Sequence, residues 1–137
     1  MKRISCWIAV VCLATLTALA QDATKVDAKH YKVVFEDSMV RVLRVHYGPH
    51  EKSPMHSHPG LTAVFLSDQQ TKFNTPDGKS QVMSGKAGDA KVMAATTHAP
   101  ENMSDKPMDL ILVEYKAPAK PAAAAPAKAG TAPKTNK

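Results

Sequence analysis

The stretch PMHSHPGLTAVFL, Pro54 to Leu66, decides how this chain is read. It places His56 and His58 two residues apart, just ahead of an apolar run. On an extended strand, residues i and i+2 point to the same face. Two imidazoles at that spacing therefore converge on one point, an arrangement that suits a metal ion. The run that follows, Leu61 to Leu66, is apolar on both faces. One face of such a strand fills an interior, and the other must pack on a second sheet or a partner subunit.

Outward from this stretch the pattern is strand and turn. Residues 31–35 (YKVVF) and 40–47 (VRVLRVHY) are rich in β-branched and aromatic residues and read as strands. Glycine and two prolines in GPHEKSP, 48–54, break the second one. Strand character resumes at 55–67, interrupted by Pro59-Gly60, and again at 71–75. Pro76-Asp77-Gly78 signals a hairpin turn, with the return strand at 79–83. Residues 90–94 form a further strand, ATTHAPEN (95–102) reads as a loop, and MDLILVEY (108–115) is the last strand. The expectation is an all-β fold, a small barrel or sandwich of about seven or eight strands with no convincing helix.

The two ends differ from this middle. Residues 1–20, MKRISCWIAVVCLATLTALA, combine a charged start at Lys2 and Arg3, an apolar run, and a small-x-small end at Ala18-Leu19-Ala20. That is the layout of a secretory signal peptide. A membrane anchor is the competing reading, but the run is short for a span and lacks a basic stop-transfer flank. The mature protein is therefore expected in the periplasm or outside the cell. Both cysteines, Cys6 and Cys12, lie in this segment, so the mature chain has no thiol and no disulfide. Residues 117–137 are Ala/Pro/Lys-rich, with no aromatic residue and nothing apolar larger than alanine. Such a segment is expected to be a disordered basic tail.

The chain carries 18 basic and 12 acidic side chains. Lys2, Arg3, Lys120, Lys128, Lys134 and Lys137 all lie in the terminal segments, so residues 21–116 carry as many basic as acidic groups. The basic pI belongs to the ends, and the folded part has no excess charge with which to bind nucleic acid.

With the strands in place, two motifs stand out in order. GPHEKSPMHSHPG is followed by a strand, and GKAGDAKVMAATTHAPEN follows some way downstream. Together they resemble the paired motifs of the cupin superfamily. His56 and His58 match its His-x-His, Gly88-Asp89 matches the turn opening its second motif, and His98 and Asn102 match that motif's end. The resemblance spans about residues 33–115. It implies a small jelly-roll barrel, often dimeric, whose histidines meet inside and hold a divalent metal.

Two positions depart from the family pattern. Thr62 stands where the first motif usually has glutamate, and Met93-Ala94-Ala95-Thr96 replaces the usual Pro and Gly. Thr62 shares the parity of His56 and His58 and is expected to face the same interior, provided Pro59-Gly60 does not slip the register. The expected centre is then three neutral imidazoles, from His56, His58 and His98, with open positions for a reactant. Iron, manganese, zinc, nickel and copper all suit such a set. Three neutral ligands leave the ion's charge uncompensated, which favours an anionic or oxygen-rich substrate.

The leading reading is a metal-dependent enzyme of dioxygenase or isomerase type acting on a small molecule. The alternative is a metal-free barrel that binds a small ligand without catalysis, and a third class is an interaction module whose tail or sheet edge docks a partner; a second copy of the chain, as a homodimer, is a further candidate partner in each case. Other residues are further candidates for the site. His46 could be a fourth ligand or base, or a rim residue. His50 and His30 read as solvated. Glu101 could orient a ligand or lie exposed, and Asn102 reads as a loop-fixing residue. Six methionines, at 39, 55, 83, 93, 103 and 108, read as core filler over copper ligands.

Overall fold

The computed structural model describes residues 21–117. The proposed signal segment and all of the basic tail beyond Ala117 lie outside the described residues. A one-turn helix α1 (Ala23–Val26) is followed by nine strands: β1 (Tyr31–Glu36), β2 (Val40–Tyr47), β3 (His56–His58), β4 (Leu61–Phe65), β5 (Gln69–Asn74), β6 (Ser80–Gly85), β7 (Ala90–Met93), β8 (Thr96–Asn102) and β9 (Met108–Tyr115). They form a five-stranded sheet in the order β1-β2-β9-β4-β7 and a four-stranded sheet in the order β3-β8-β5-β6. Every strand pair is antiparallel.

The core follows from period-two alternation. Along β2, Leu43, Val45 and Tyr47 are buried while Arg44 and His46 are exposed. Leu61, Ala63 and Phe65 of β4, with Met108 and Leu112 of β9, complete the interior between the sheets. The Phe65 ring packs so closely on Gly85 that an added Cβ would come within 2.0 Å of it. The hairpin at 75–78 forms as expected, closed by Gly78 N–H to the Thr75 carbonyl at 3.0 Å, with Gly78 at φ 80°.

Three expectations change. First, Thr96–Asn102 is a strand, not a loop. It bonds β3 on one side and β5 on the other, and these two partners outweigh its polar composition and Pro100. This is the strand missing from the lower count. Second, Asp22 caps α1, its carboxylate accepting from Thr24 N–H at 2.8 Å, so the chain does contain a short helix. Third, Pro59-Gly60 does slip the register. Leu61, Ala63 and Phe65 face inward, and Thr62 faces out to bond the Tyr115 hydroxyl.

A mostly apolar row crosses the outer face of the five-stranded sheet. Phe35 pairs with Val42, Val42 with Val113, Val113 with Thr62, and Thr62 with Val92, a row that crosses all five strands. Phe35 and Val92 are exposed. Among the described residues, no helix is long and apolar enough to cross a membrane.

Candidate metal centre

The three histidines meet. His56 lies directly across from His98 in the β3–β8 pair, and His58 follows on the same face. All three are buried. Their rings stand 4.9 to 5.4 Å apart, and one ligand nitrogen from each lies within 4.8 Å of the other two.

The environment fixes which nitrogens are offered. His56 Nδ1 donates to the Pro54 carbonyl at 2.8 Å. His58 Nδ1 donates to the Glu114 carboxylate at 2.6 Å. Both bonds put the ring proton on Nδ1 and leave Nε2 as a bare lone pair. Both Nε2 atoms are buried with no hydrogen-bond partner among the described residues. A buried polar atom without a partner is costly. A divalent ion between them satisfies both, so the donor set fits the metal that the resemblance implies.

Electrostatics point the same way. Burial first, then the neighbouring histidines, push His98 down to about 3. Burial lowers His56 to about 4, with a smaller contribution from His58. Both rings are neutral near pH 7, the form that ligates metal.

Glu114 is the residue that sequence reading missed. It sits on β9, 1 % exposed. Burial raises its carboxyl, but hydrogen bonds from His58 and Arg41 outweigh that and hold it below the usual range. Arg41 donates to Glu114 at 2.6 Å and to Asp22 at 2.6 Å, which also ties the N-terminal segment to the barrel. Position 62 lacks the family's usual carboxylate; Glu114, from the last strand, instead bonds the His58 imidazole. Its signal was present: in MDLILVEY, Glu114 occupies the inward parity of Met108, Leu110 and Leu112.

The remaining candidates separate cleanly. His46 is exposed beside Asp109, and His50 is exposed and paired with Asp105. Glu101 alternates away from His98 and pairs with Lys52. Asn102 donates to the carbonyls of Gly48 and Lys106, holding the loop as expected. Met55 is exposed, whereas Met83, Met93 and Met108 pack in or against the core. His30 corrects the expectation of a solvated residue. It is 5 % exposed, stacked on Tyr47, and held between Asp27 (2.6 Å) and Glu51 (3.0 Å). Asp27 and Glu51 lie far apart in sequence, and only the fold brings both to this ring.

Ser53 also donates to Asp27. Further in, the Tyr47 and Tyr31 hydroxyls are hydrogen-bonded at 2.9 Å. Burial raises Tyr31 far above its ordinary value, so it is a neutral hydroxyl. Its ring lies edge-on to His56 at 4.9 Å. A narrow cavity opens here, with His58, His98 and Tyr31 at one end and mostly apolar walls beyond.

The fold is that of the cupins, the double-stranded β-helix. It is similar to a cupin domain from Bordetella pertussis Tohama I, with a TM-score of 0.59 and 21 % identity, covering 64 % of this chain and 92 % of that one. It is also similar to an uncharacterised conserved protein with a double-stranded β-helix domain from Klebsiella pneumoniae, with a TM-score of 0.51 and 23 % identity, covering 62 % and 74 %. An RmlC-like cupin family protein from Methanocaldococcus jannaschii matches at a TM-score of 0.51 and 11 % identity, covering 64 % and 80 %. No protein-family model and no curated protein matches the sequence.

Proposed function

We propose that this is an exported, metal-dependent enzyme acting on a small anionic or oxygen-rich molecule. The observation that carries the reading is the pair of buried, partnerless Nε2 atoms of His56 and His58, grouped with His98. These three residues would hold a divalent ion. Such an ion supplies Lewis-acid polarisation of a bound oxygen and, if redox-active, electron transfer.

The chain's own residues set the conditions. Glu114 fixes the His58 tautomer and raises that ring's basicity as a ligand. Three neutral imidazoles leave positive charge in the site, which draws an anion. The apolar walls exclude water and strengthen every charge interaction inside. Tyr31 places a neutral hydroxyl at the cavity wall. Dioxygenation and isomerisation are the reaction classes this arrangement serves. Export is supported by the layout of residues 1–20. Self-association through the apolar row from Phe35 to Val92 accords with the unfilled outer face.

The test is turnover. The metal-loaded protein is incubated in air with a panel of small hydroxy and keto acids, and substrate loss and oxygen uptake are followed. Consumption that disappears in His56→Ala supports the enzyme. Stoichiometric binding with full recovery of every unchanged acid would favour the non-catalytic binding protein.

A further inference from the structure

The cavity beside His58 and His98 continues along the barrel toward the start of β5. Gln69, Thr71 and Phe73 share the inward face of that strand, and all three line the cavity. Phe73 packs against the His98 ring at 4.8 Å and marks the metal end. Gln69 is four residues back, roughly 13 Å away at the rise of a β-strand. The wall between is apolar, built from Ala63, Leu110 and Leu112 among others.

Gln69 is 7 % exposed, and its Oε1 has no hydrogen-bond partner. Among the described residues, the buried side-chain polar atoms in this condition are His56 Nε2, His58 Nε2 and Gln69 Oε1. The metal accounts for the two nitrogens. It cannot account for an oxygen at the other end of the cavity. Thr71 adds to the oddity: its hydroxyl donates to Met108 Sδ at 3.3 Å, a weak acceptor, and its oxygen lone pairs stay available.

We propose that Gln69 Oε1, with Thr71 Oγ1 beside it, is a second recognition point that accepts a hydrogen bond from the far end of the ligand. The cavity then takes a slender, mostly apolar molecule. Its anionic oxygen head sits at the three histidines, and a hydroxyl or amine N–H at its tail reaches Gln69. The head rests on the metal-centre reading, whereas the tail does not.

Calorimetry on the Zn²⁺-loaded mature protein compares hexanoate, 6-hydroxyhexanoate and 6-methoxyhexanoate. The hydroxy acid is expected to bind at least about tenfold tighter than the other two, as a satisfied buried acceptor should require. In Gln69→Leu, and in Gln69→Met as the closer shape, the preference falls to within about twofold while Zn²⁺ stoichiometry is retained. A parallel arm on metal-free protein compares thermal shifts from hexan-1-ol and dipropyl ether. If Zn²⁺ fails to bind but hexan-1-ol is preferred and Gln69→Leu abolishes that preference, the tail site stands and the metal reading falls. If Zn²⁺ and all three acids bind but with equal affinity, Gln69 is met by a trapped water only and the proposal is overturned. Tighter binding of the methoxy acid than the hydroxy acid overturns it as well, because the amide then presents its NH₂ group.

Discussion

Replacing Glu114 with glutamine keeps the side chain's shape and removes its charge. In the native protein this carboxylate is 1 % exposed and accepts from His58 and from Arg41, each at 2.6 Å. Charge-assisted bonds of this kind contribute about 1.5–3 kcal/mol each, and removing one partner of a buried pair costs about 3–5 kcal/mol. Arg41 retains Asp22 and is partly solvated, so that half of the loss is softened. A net cost of about 2–4 kcal/mol follows. For a domain of this size that is a fall in Tm of about 10–20 °C. The amide can also rotate its NH₂ group toward His58, which moves the ring proton to Nε2 and blocks the ligand position. Metal affinity should therefore fall by about 10- to 100-fold. Thermal melts of metal-free protein read the first effect, and calorimetric titration with Zn²⁺ reads the second. A Glu114→Gln protein with Tm within about 2 °C of wild type and unchanged Zn²⁺ affinity would refute the assignment of Glu114 as the group that orients His58.

Metal-free protein should lose stability in acid. His56 and His98 titrate near about 4 and about 3 when folded, against an ordinary value of 6.5. Above 6.5 both states leave these rings neutral; below it the unfolded chain takes up protons that the folded chain refuses, so stability falls as pH drops from 6.5 toward 4 and 3, by up to about 1.4 kcal/mol per pH unit for each ring. Melting temperatures from pH 8 to pH 4 check this, and a flat profile contradicts it. Thr62→Glu should leave Zn²⁺ and Mn²⁺ affinity within about twofold of wild type, because its side chain bonds Tyr115 on the outer face; tighter Mn²⁺ binding would show that β4 is in the other register. Gly85→Ala should destabilise by about 1–3 kcal/mol in urea melts, since the new methyl group must displace Phe65; a neutral result would mean the ring is free to move.

The clustering of the three histidines was legible because strand parity alone aligns His56 with His58, and the order of the two motifs added His98. Thr62 was misplaced for a physical reason. Parity counts hold only while a strand is continuous, and Pro59-Gly60 transfers the chain from one sheet to the other, turning Thr62 outward. Glu114 was legible by the same rule applied to β9, an unbroken strand in which a charged residue sits at an inward position. β8 went unseen because its polar composition matches a loop, and its strand character comes from being paired on both sides. The burial of His30 depends on carboxylates at 27 and 51 that only the tertiary fold assembles. Gln69 gave no local sign, since a polar residue at a strand's start is ordinary until the structure shows its oxygen inside.

The proposed function requires that His56, His58 and His98 hold one divalent ion. Elemental analysis of full-length protein purified without added metal or chelator, beside His98→Ala prepared identically, tests it most directly. The expected result is close to one equivalent of a first-row divalent metal per chain in wild type, restored after stripping by stoichiometric Zn²⁺ uptake, with most of both lost in His98→Ala. Wild-type protein that carries no metal and takes up none, or a His98→Ala protein that binds as much as wild type, would contradict the account.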